Sequence, residues 1–306
     1  MNSYNKYILG IIVLLIVSCE NEPVDFSIIE QPIEEQSPND PTSTGLNIGC
    51  AGIDESPFIL DSIVIDEHLP ISQDLSPLMP PVRSQGSQGS CVAWATTYYL
   101  KSYQEKIQYG YEYSFNTLMS PAFVFNQIKV DCSVGTCIES ALLLLKRKGA
   151  CTWSDFPYNA QDCSILPNAS QFSNAVPNKI SQGYVISSQT IINGNLYLHR
   201  DIIKNLISQG NPVIIAMKLD NDFVNSTPRN EENIYIYQSY SSSNHYGDHA
   251  MLIVGYDDEL NAFKVINSWG TAWSNDGYCW ISYNFFIDTL NPDYKGGLLG
   301  AYVAFD

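Results

Sequence analysis

Four side chains in this sequence have the types needed for acyl transfer by a cysteine. Cys91 follows Gln85-Gly86-Ser87-Gln88-Gly89-Ser90 and opens a long apolar stretch. His249 stands in Asp248-His249-Ala250, and Asn267 in Asn267-Ser268-Trp269-Gly270. The thiol would be the nucleophile and the imidazole its base. The Asn267 carboxamide would orient the ring, and the Gln85 amide could join the Cys91 N–H in an oxyanion hole. A free thiol, with a pKa of about 8.5, is mostly protonated at neutral pH. A helix N-terminus and an imidazolium partner would favour the thiolate. Gly86 and Gly89 let the chain turn tightly enough to aim the sulfur at a cleft.

Each residue also has a plainer reading. An isolated cysteine at a helix start is usually a buried thiol, and an isolated histidine a satisfied core residue. His245 and His249 have the spacing of a helical metal pair, but Gly247 between them and the strand after them argue against a helix. The sequence has no C-x-x-C pair. Neither a metal nor another cofactor is expected.

The elements that must position these groups follow from pattern. Cys91 to about Gln108 is apolar or aromatic at Val92, Ala93, Trp94, Ala95, Tyr98, Tyr99, Leu100 and Tyr103. That is more than one face of a surface helix requires, so a buried central helix is expected. Ser120-Pro121 reads as the N-cap and first position of a second helix. Ile138 to Lys148 and His199 to Ser208 read as two more, followed by Gly149 and Gly210. Strands are expected at Val213–Met217, Ile234–Tyr237, Ala250–Tyr256, Ala262–Ile266, Tyr278–Tyr283 and Ala301–Phe305. A hairpin through residues 257–261 would bring His249 and Asn267 together at its open end. Trp269 could shield their hydrogen bond from water. Helices first and strands later predict an α+β fold with two lobes, about 85–165 and 166–306, and a cleft between them.

The chain has 306 residues, 45% of them hydrophobic, which is ample for a large core. Its net charge of -17 argues against a nucleic-acid partner. Residues 1–18 read as a lipoprotein signal peptide. Lys6 precedes an apolar run, Ile8 to Val17, that is too short to span a membrane. The run ends in Ile16-Val17-Ser18-Cys19, which resembles a lipobox with Cys19 as the lipidated residue. Residues 19–65 read as an acidic, proline-bearing tether, solvated at least as far as Asn47, with a possible docking strand at Ile59 to Ile65. An inhibitory pro-segment is the alternative reading of that stretch. Residues 66–306 form the folded body. The expected location is outside the cytoplasm, on a bacterial outer membrane or cell surface.

Eight cysteines are present, and an exported chain favours disulfides. With Cys19 and Cys91 set aside, six remain. Cys137 and Cys151 flank the predicted Ile138–Lys148 helix and would lie roughly 20 Å apart, too far to bond each other.

These motifs together resemble the papain family of cysteine peptidases, from about Leu69 to Phe305. The nucleophile segment is Pro81 to Cys91. The histidine segment is Asp248-His249-Ala250 with Val254-Gly255-Tyr256. The asparagine segment is Asn267-Ser268-Trp269-Gly270-Thr271 with Trp273 and Gly277-Tyr278. Phe156-Pro157-Tyr158 with Cys163 also fits. The resemblance implies a helical left lobe and an antiparallel, β-barrel-like right lobe. It gives the catalytic roles to Cys91, His249, Asn267 and Gln85, and substrate contact to Gly135, Thr136, Asp248 and Trp269. It also implies a Cys132–Cys163 disulfide. Gln88 stands where relatives usually have a disulfide cysteine, and Val92 replaces the usual tryptophan. The usual helical pro-segment is missing, and these departures resemble a bacterial branch. The expected activity is peptide-bond hydrolysis on peptide or protein substrates. The competing readings are an inactive surface-anchored binding module and an acyltransferase on the same fold.

Overall fold

The computed structural model describes residues 44, 46, 47, 58–60, 63, 65, 66, 68–186, 189–192, 195–226, 235–286 and 297–306. The expected signal peptide, Cys19 and most of the expected tether lie outside the described residues.

Two short strands open the body, β1 (Phe58–Ile59) and β2 (Ser72–Asp74). A continuous helical path follows: α1 (Cys91–Ala93), a π-helical stretch (Trp94–Lys101) and α2 (Ser102–Tyr109). Its extent matches the sequence reading, but its wide middle does not. Every residue from Cys91 to Tyr103 is buried, so packing surrounds the helix on all sides. An all-round apolar pattern specifies burial without fixing the helical period. Lys101 is enclosed at the end of this stretch, paired with Glu105 at 2.7 Å and with Asp306. A charge so buried is tolerated only when it is paired.

Helix α3 (Pro121–Ile128) starts as expected: the Ser120 hydroxyl accepts from the Phe123 N–H, and proline occupies the first turn. Helix α4 (Ile138–Lys148) has the predicted bounds, and α5 (Ala169–Ala175) opens with an Asn168/Gln171 capping box. Then come β3 (Gln182–Ile186), β4 (Gln189–Ile192), β5 (Asn195–Leu198) and α6 (His199–Ser208), the last again with the predicted bounds.

The remaining elements are β6 (Val213–Asp220), α7 (Asn221–Val224), β7 (Ile236–Tyr237), β8 (His245–Asp257), β9 (Ala262–Ile266), β10 (Tyr278–Ser282) and β11 (Leu298–Phe305). They form one mostly antiparallel sheet in the order β1-β3-β11-β6-β8-β9-β10-β7, with β2 paired to β8. Among the described strands, only the end pairings, β1 with β3 and β7 with β10, are parallel. The architecture is the α+β, two-lobe arrangement expected: α1, α3 and α4 pack on one another, while α6 and α7 lie against the sheet. The long central strand β8 also touches α1, which joins the two halves of the site.

The tether reading stops short of Asn47. Leu46 is bridged to Thr136, and the Asn47 N–H donates to the Thr136 carbonyl at 3.0 Å. The docking strand is β1, at the leading edge of the segment expected to dock. Composition misses such contacts because backbone hydrogen bonds need no apolar side chain.

The Cys132–Cys163 disulfide forms, with Cα atoms 5.7 Å apart. Cys91, Cys151 and Cys279 form no disulfide. Cys151 is therefore not bonded to Cys137, as the length of α4 requires.

Candidate active site

Cys91 is the first residue of α1 and is fully buried. The loop before it is held from both sides. The Gly89 N–H donates to the Cys132 carbonyl at 2.9 Å, which anchors the loop to the disulfide-bonded segment. A Cβ on Gly89 would come within 3.0 Å of the Ser133 carbonyl oxygen, so a larger residue would push these backbones apart. On the other side, Ser84 bridges Trp269, and the Gln85 N–H donates to the Ser268 carbonyl at 2.8 Å. The nucleophile loop is thus bonded directly to the asparagine loop.

His249 and Asn267 meet as the hairpin predicts. Leu252 on β8 faces Ile266 on β9, and both catalytic candidates lie just beyond that pair at the open end. His249 Nε2 is 2.8 Å from Asn267 Oδ1. The same Oδ1 accepts the Ser268 backbone N–H at 2.7 Å. An oxygen that already accepts one N–H must face a donor on its other side, so Nε2 carries the hydrogen. Nδ1 then has the free lone pair, and it has no hydrogen-bond partner. The Trp269 ring lies over the imidazole at a centroid distance of 4.7 Å and packs edge-on against Trp273. Trp269 therefore shields the His249–Asn267 bond from water.

Burial sets the charge of this histidine. His249 is fully enclosed, and desolvation pushes its pKa down to about 4, with the Asn267 hydrogen bond pulling weakly the other way. The unfolded chain takes up a proton near pH 6.5, whereas the folded chain waits until about pH 4. Stability therefore falls as pH drops through that window, by about 3 kcal/mol at 1.36 kcal/mol per unit. Urea unfolding at pH 7 and pH 4 should show a smaller loss in His249→Gln than in the parent chain. Equal losses would mean that His249 does not carry this linkage.

Gln85 is also fully buried. Its Nε2 donates to the Gln88 carbonyl at 2.9 Å, and its Oε1 accepts from the Ser268 hydroxyl at 2.5 Å. The sequence reading missed the polar residues that support this site. The Tyr158 hydroxyl donates to the Gln85 carbonyl and pairs with Ser90 Oγ, both at 2.7 Å. The Tyr99 hydroxyl donates to the Asn267 carbonyl at 2.9 Å. Ser268 stood inside a quoted motif with no role given to it. Gln88, at the place of the absent disulfide, donates to the Asn159 carbonyl at 3.2 Å.

Thr136 is buried just before α4, with Gly135 beside it, and Asp248 precedes His249 on β8. Their carbonyls, Thr136 O and Asp248 O, take hydrogen bonds from the same short stretch, residues 46 and 47. Among the described residues, no three His, Cys, Asp or Glu side chains gather to hold a metal ion.

Comparison with known proteins gives a consistent picture. The family described as papain family cysteine protease matches residues 70–288. A cathepsin L-like proteinase of Fasciola hepatica is 30% identical over 207 residues, covering 64% of this chain and 55% of its own length. Digestive cysteine proteinase 1 of Homarus americanus is 28% identical, covering 65% and 56%. This chain spans about half the length of these relatives. Among solved structures, xylellain, a cysteine protease from Xylella fastidiosa, superposes with a TM-score of 0.65 at 23% identity, covering 86% of this chain and 96% of its own. Digestive procathepsin L2 proteinase of Tenebrio molitor gives 0.62 at 22%, covering 87% and 79%. At these identities the structures establish the shared fold.

Proposed function

The chain belongs to the papain family of cysteine proteases, and from that premise we propose that it hydrolyses peptide bonds through Cys91, His249, Asn267 and Gln85. The observation that carries the proposal is the His249–Asn267 pair: one ring nitrogen is fixed as a donor, the other is left as a free base, and α1 packs on the strand that bears it. In this reading His249 Nδ1 takes the Cys91 proton and the thiolate attacks the scissile carbonyl. The Cys91 N–H and the Gln85 amide hold the oxyanion. The imidazolium protonates the leaving amine, and water then hydrolyses the thioester by the reverse sequence of proton transfers. Gly135, Thr136, Asp248 and Trp269 border the peptide.

An epoxide thiol probe should label Cys91 stoichiometrically, and a peptide library should be cleaved by the unlabelled protein only. Labelling without any cleavage would favour the binding-module reading. Product formation faster with an added amine than with water would favour an acyltransferase.

The site of action is proposed from the sequence features. The short apolar run ending at Ser18-Cys19 supports a bacterial lipoprotein, cleaved before Cys19 and anchored to the outer membrane or cell surface through lipid on that sulfur. Cys19→Ser should move the protein from the membrane fraction to the soluble one. A variant that still sediments with membranes would refute the anchor.

A further inference from the structure

We infer that Tyr158 is a positioning residue for the oxyanion hole: its hydroxyl clamps both ends of the Gln85–Cys91 loop and so fixes the spacing between the Gln85 amide and the Cys91 N–H. The inference rests on the reading of those two groups as the oxyanion donors.

Two donors that share one developing charge must be placed to within about 0.5 Å. Here they stand six residues apart on a loop that carries Gly86 and Gly89. Glycines make such a loop compliant. Gln88 stands in it where relatives usually have a disulfide cysteine, so hydrogen bonds must hold what a covalent bond holds elsewhere.

The clamp is one phenol oxygen. It lies 2.7 Å from the Gln85 carbonyl oxygen and 2.7 Å from Ser90 Oγ. A carbonyl can only accept, so the phenol proton goes to Gln85. The phenol oxygen must then accept from the Ser90 hydroxyl. Gln85 opens the loop, and Ser90 is the residue before Cys91. Both are fully buried, so water does not replace these bonds. Ser90 is also the N-cap of α1, yet its side chain makes no capping bond. A serine there ordinarily accepts from the first turn of its helix. This one is committed to Tyr158 instead.

The clamp is itself braced. The Tyr158 ring packs edge-on against Trp94 at 5.0 Å and against Trp153 at 6.0 Å between centroids. The next residue supplies a third point of attachment, the Asn159 carbonyl, which accepts from Gln88 Nε2 at 3.2 Å. Residues 158 and 159 therefore hold the loop at its start, middle and end. Four residues further on, Cys163 is bonded to Cys132, whose carbonyl takes the Gly89 N–H. One cross-linked support thus carries the whole loop.

Two reagents that react at the same sulfur separate positioning from general damage. A peptide aldehyde forms a C–S bond with Cys91 while its carbonyl electron pair moves to oxygen, and that oxygen would sit in the hole. Iodoacetamide forms its C–S bond by expelling iodide and has no oxyanion to hold. Tyr158→Phe removes the hydroxyl and keeps the ring. It should bind the aldehyde about tenfold more weakly and lower kcat by a similar factor with KM nearly unchanged. Its Cys91 should react with iodoacetamide at the parent rate. Ser90→Ala opens one end of the clamp and should show the same pattern to a smaller degree. In a Gln85→Ala background, Tyr158→Phe should weaken the aldehyde little further, because the hole has already lost that donor.

Unchanged aldehyde affinity in Tyr158→Phe, with a loss in Gln85→Ala, would overturn the inference and leave the oxyanion hole standing. Aldehyde affinity and iodoacetamide rate falling together would make Tyr158 a general support of the loop, which overturns it too. If Tyr158→Phe does not fold, Ser90→Ala carries the same comparison, and an unchanged aldehyde affinity there is decisive against the clamp. No loss in Gln85→Ala would overturn the oxyanion reading and this inference with it.

Discussion

Cys91→Ala is expected to lower peptide hydrolysis by about 10⁴-fold or more and to leave thermal unfolding nearly unchanged. The size of the loss follows from the mechanism: without sulfur no acyl-enzyme forms, and the remaining oxyanion hole can stabilise only slow attack by water. The small effect on stability follows from the packing. Cys91 is wholly enclosed, as are Val92, Ala93 and Trp94 after it, and replacing its sulfur by hydrogen removes one heavy atom from a dense core. The backbone ties of the loop, Gln85 to Ser268 and Gly89 to Cys132, do not involve the thiol. Circular dichroism melts and steady-state hydrolysis on one preparation check both halves. Persisting cleavage would move the nucleophile elsewhere. A large drop in melting temperature would make lost activity uninformative, and Cys91→Ser would then serve as the near-isosteric replacement.

How much of this site the sequence disclosed depends on the kind of interaction. Helices α4 and α6 were legible to the residue because apolar patterning and the glycines after them act locally. The β8–β9 hairpin was legible because two strands joined by a short loop can pair in few ways. That was enough to bring His249 and Asn267 together. The start of β8 was not legible. His245 to His249 includes Gly247 and Asp248, which are poor strand formers. They are extended here because β6 pairs with them, His249 opposite Met217 and Asp248 opposite Lys218. Long-range pairing of that kind overrides local propensity.

The buried polar supports were harder still to foresee. Tyr99, Tyr158 and Ser268 look like ordinary core or turn residues in one dimension. Their roles exist only because residues 168, 73 and 183 positions away present a carbonyl or an amide oxygen. The same limit applies to the stretch at 44–47. Its acidic, proline-bearing surroundings point to solvation, while the Leu46 and Asn47 N–H groups donate to the Asp248 and Thr136 carbonyls. Hydrophobic pattern is nearly blind to such bonds, because every residue except proline carries the same donor.

His249→Ala and Asn267→Ala are expected to separate the base from the residue that aligns it. Removing the imidazole deletes proton transfer in both half-reactions, so turnover should fall by about 10³–10⁴-fold. Removing the carboxamide leaves the ring in place under Trp269 but frees Nε2 from its acceptor, so the proton can shift to Nδ1 and the base points the wrong way part of the time. A loss nearer 10²-fold follows. A third variant, Asn267→Asp, tests the electrostatics. Burial alone holds His249 near pKa 4, and a thiolate at Cys91 or a carboxylate at position 267 would each stabilise the imidazolium and raise that value. If the reactive form is the thiolate–imidazolium pair, the profile of kcat/KM against pH is a bell, and its alkaline limb marks loss of the imidazolium proton. Asn267→Asp should therefore retain more activity than Asn267→Ala and carry its alkaline limb to higher pH, by about one unit or more. An unchanged limb would mean that residue 267 does not act through the imidazole. Activity that keeps rising to pH 9 in the parent chain, as for a simple thiol, would show that the neutral pair is the resting reactant and that the proton moves only when substrate arrives.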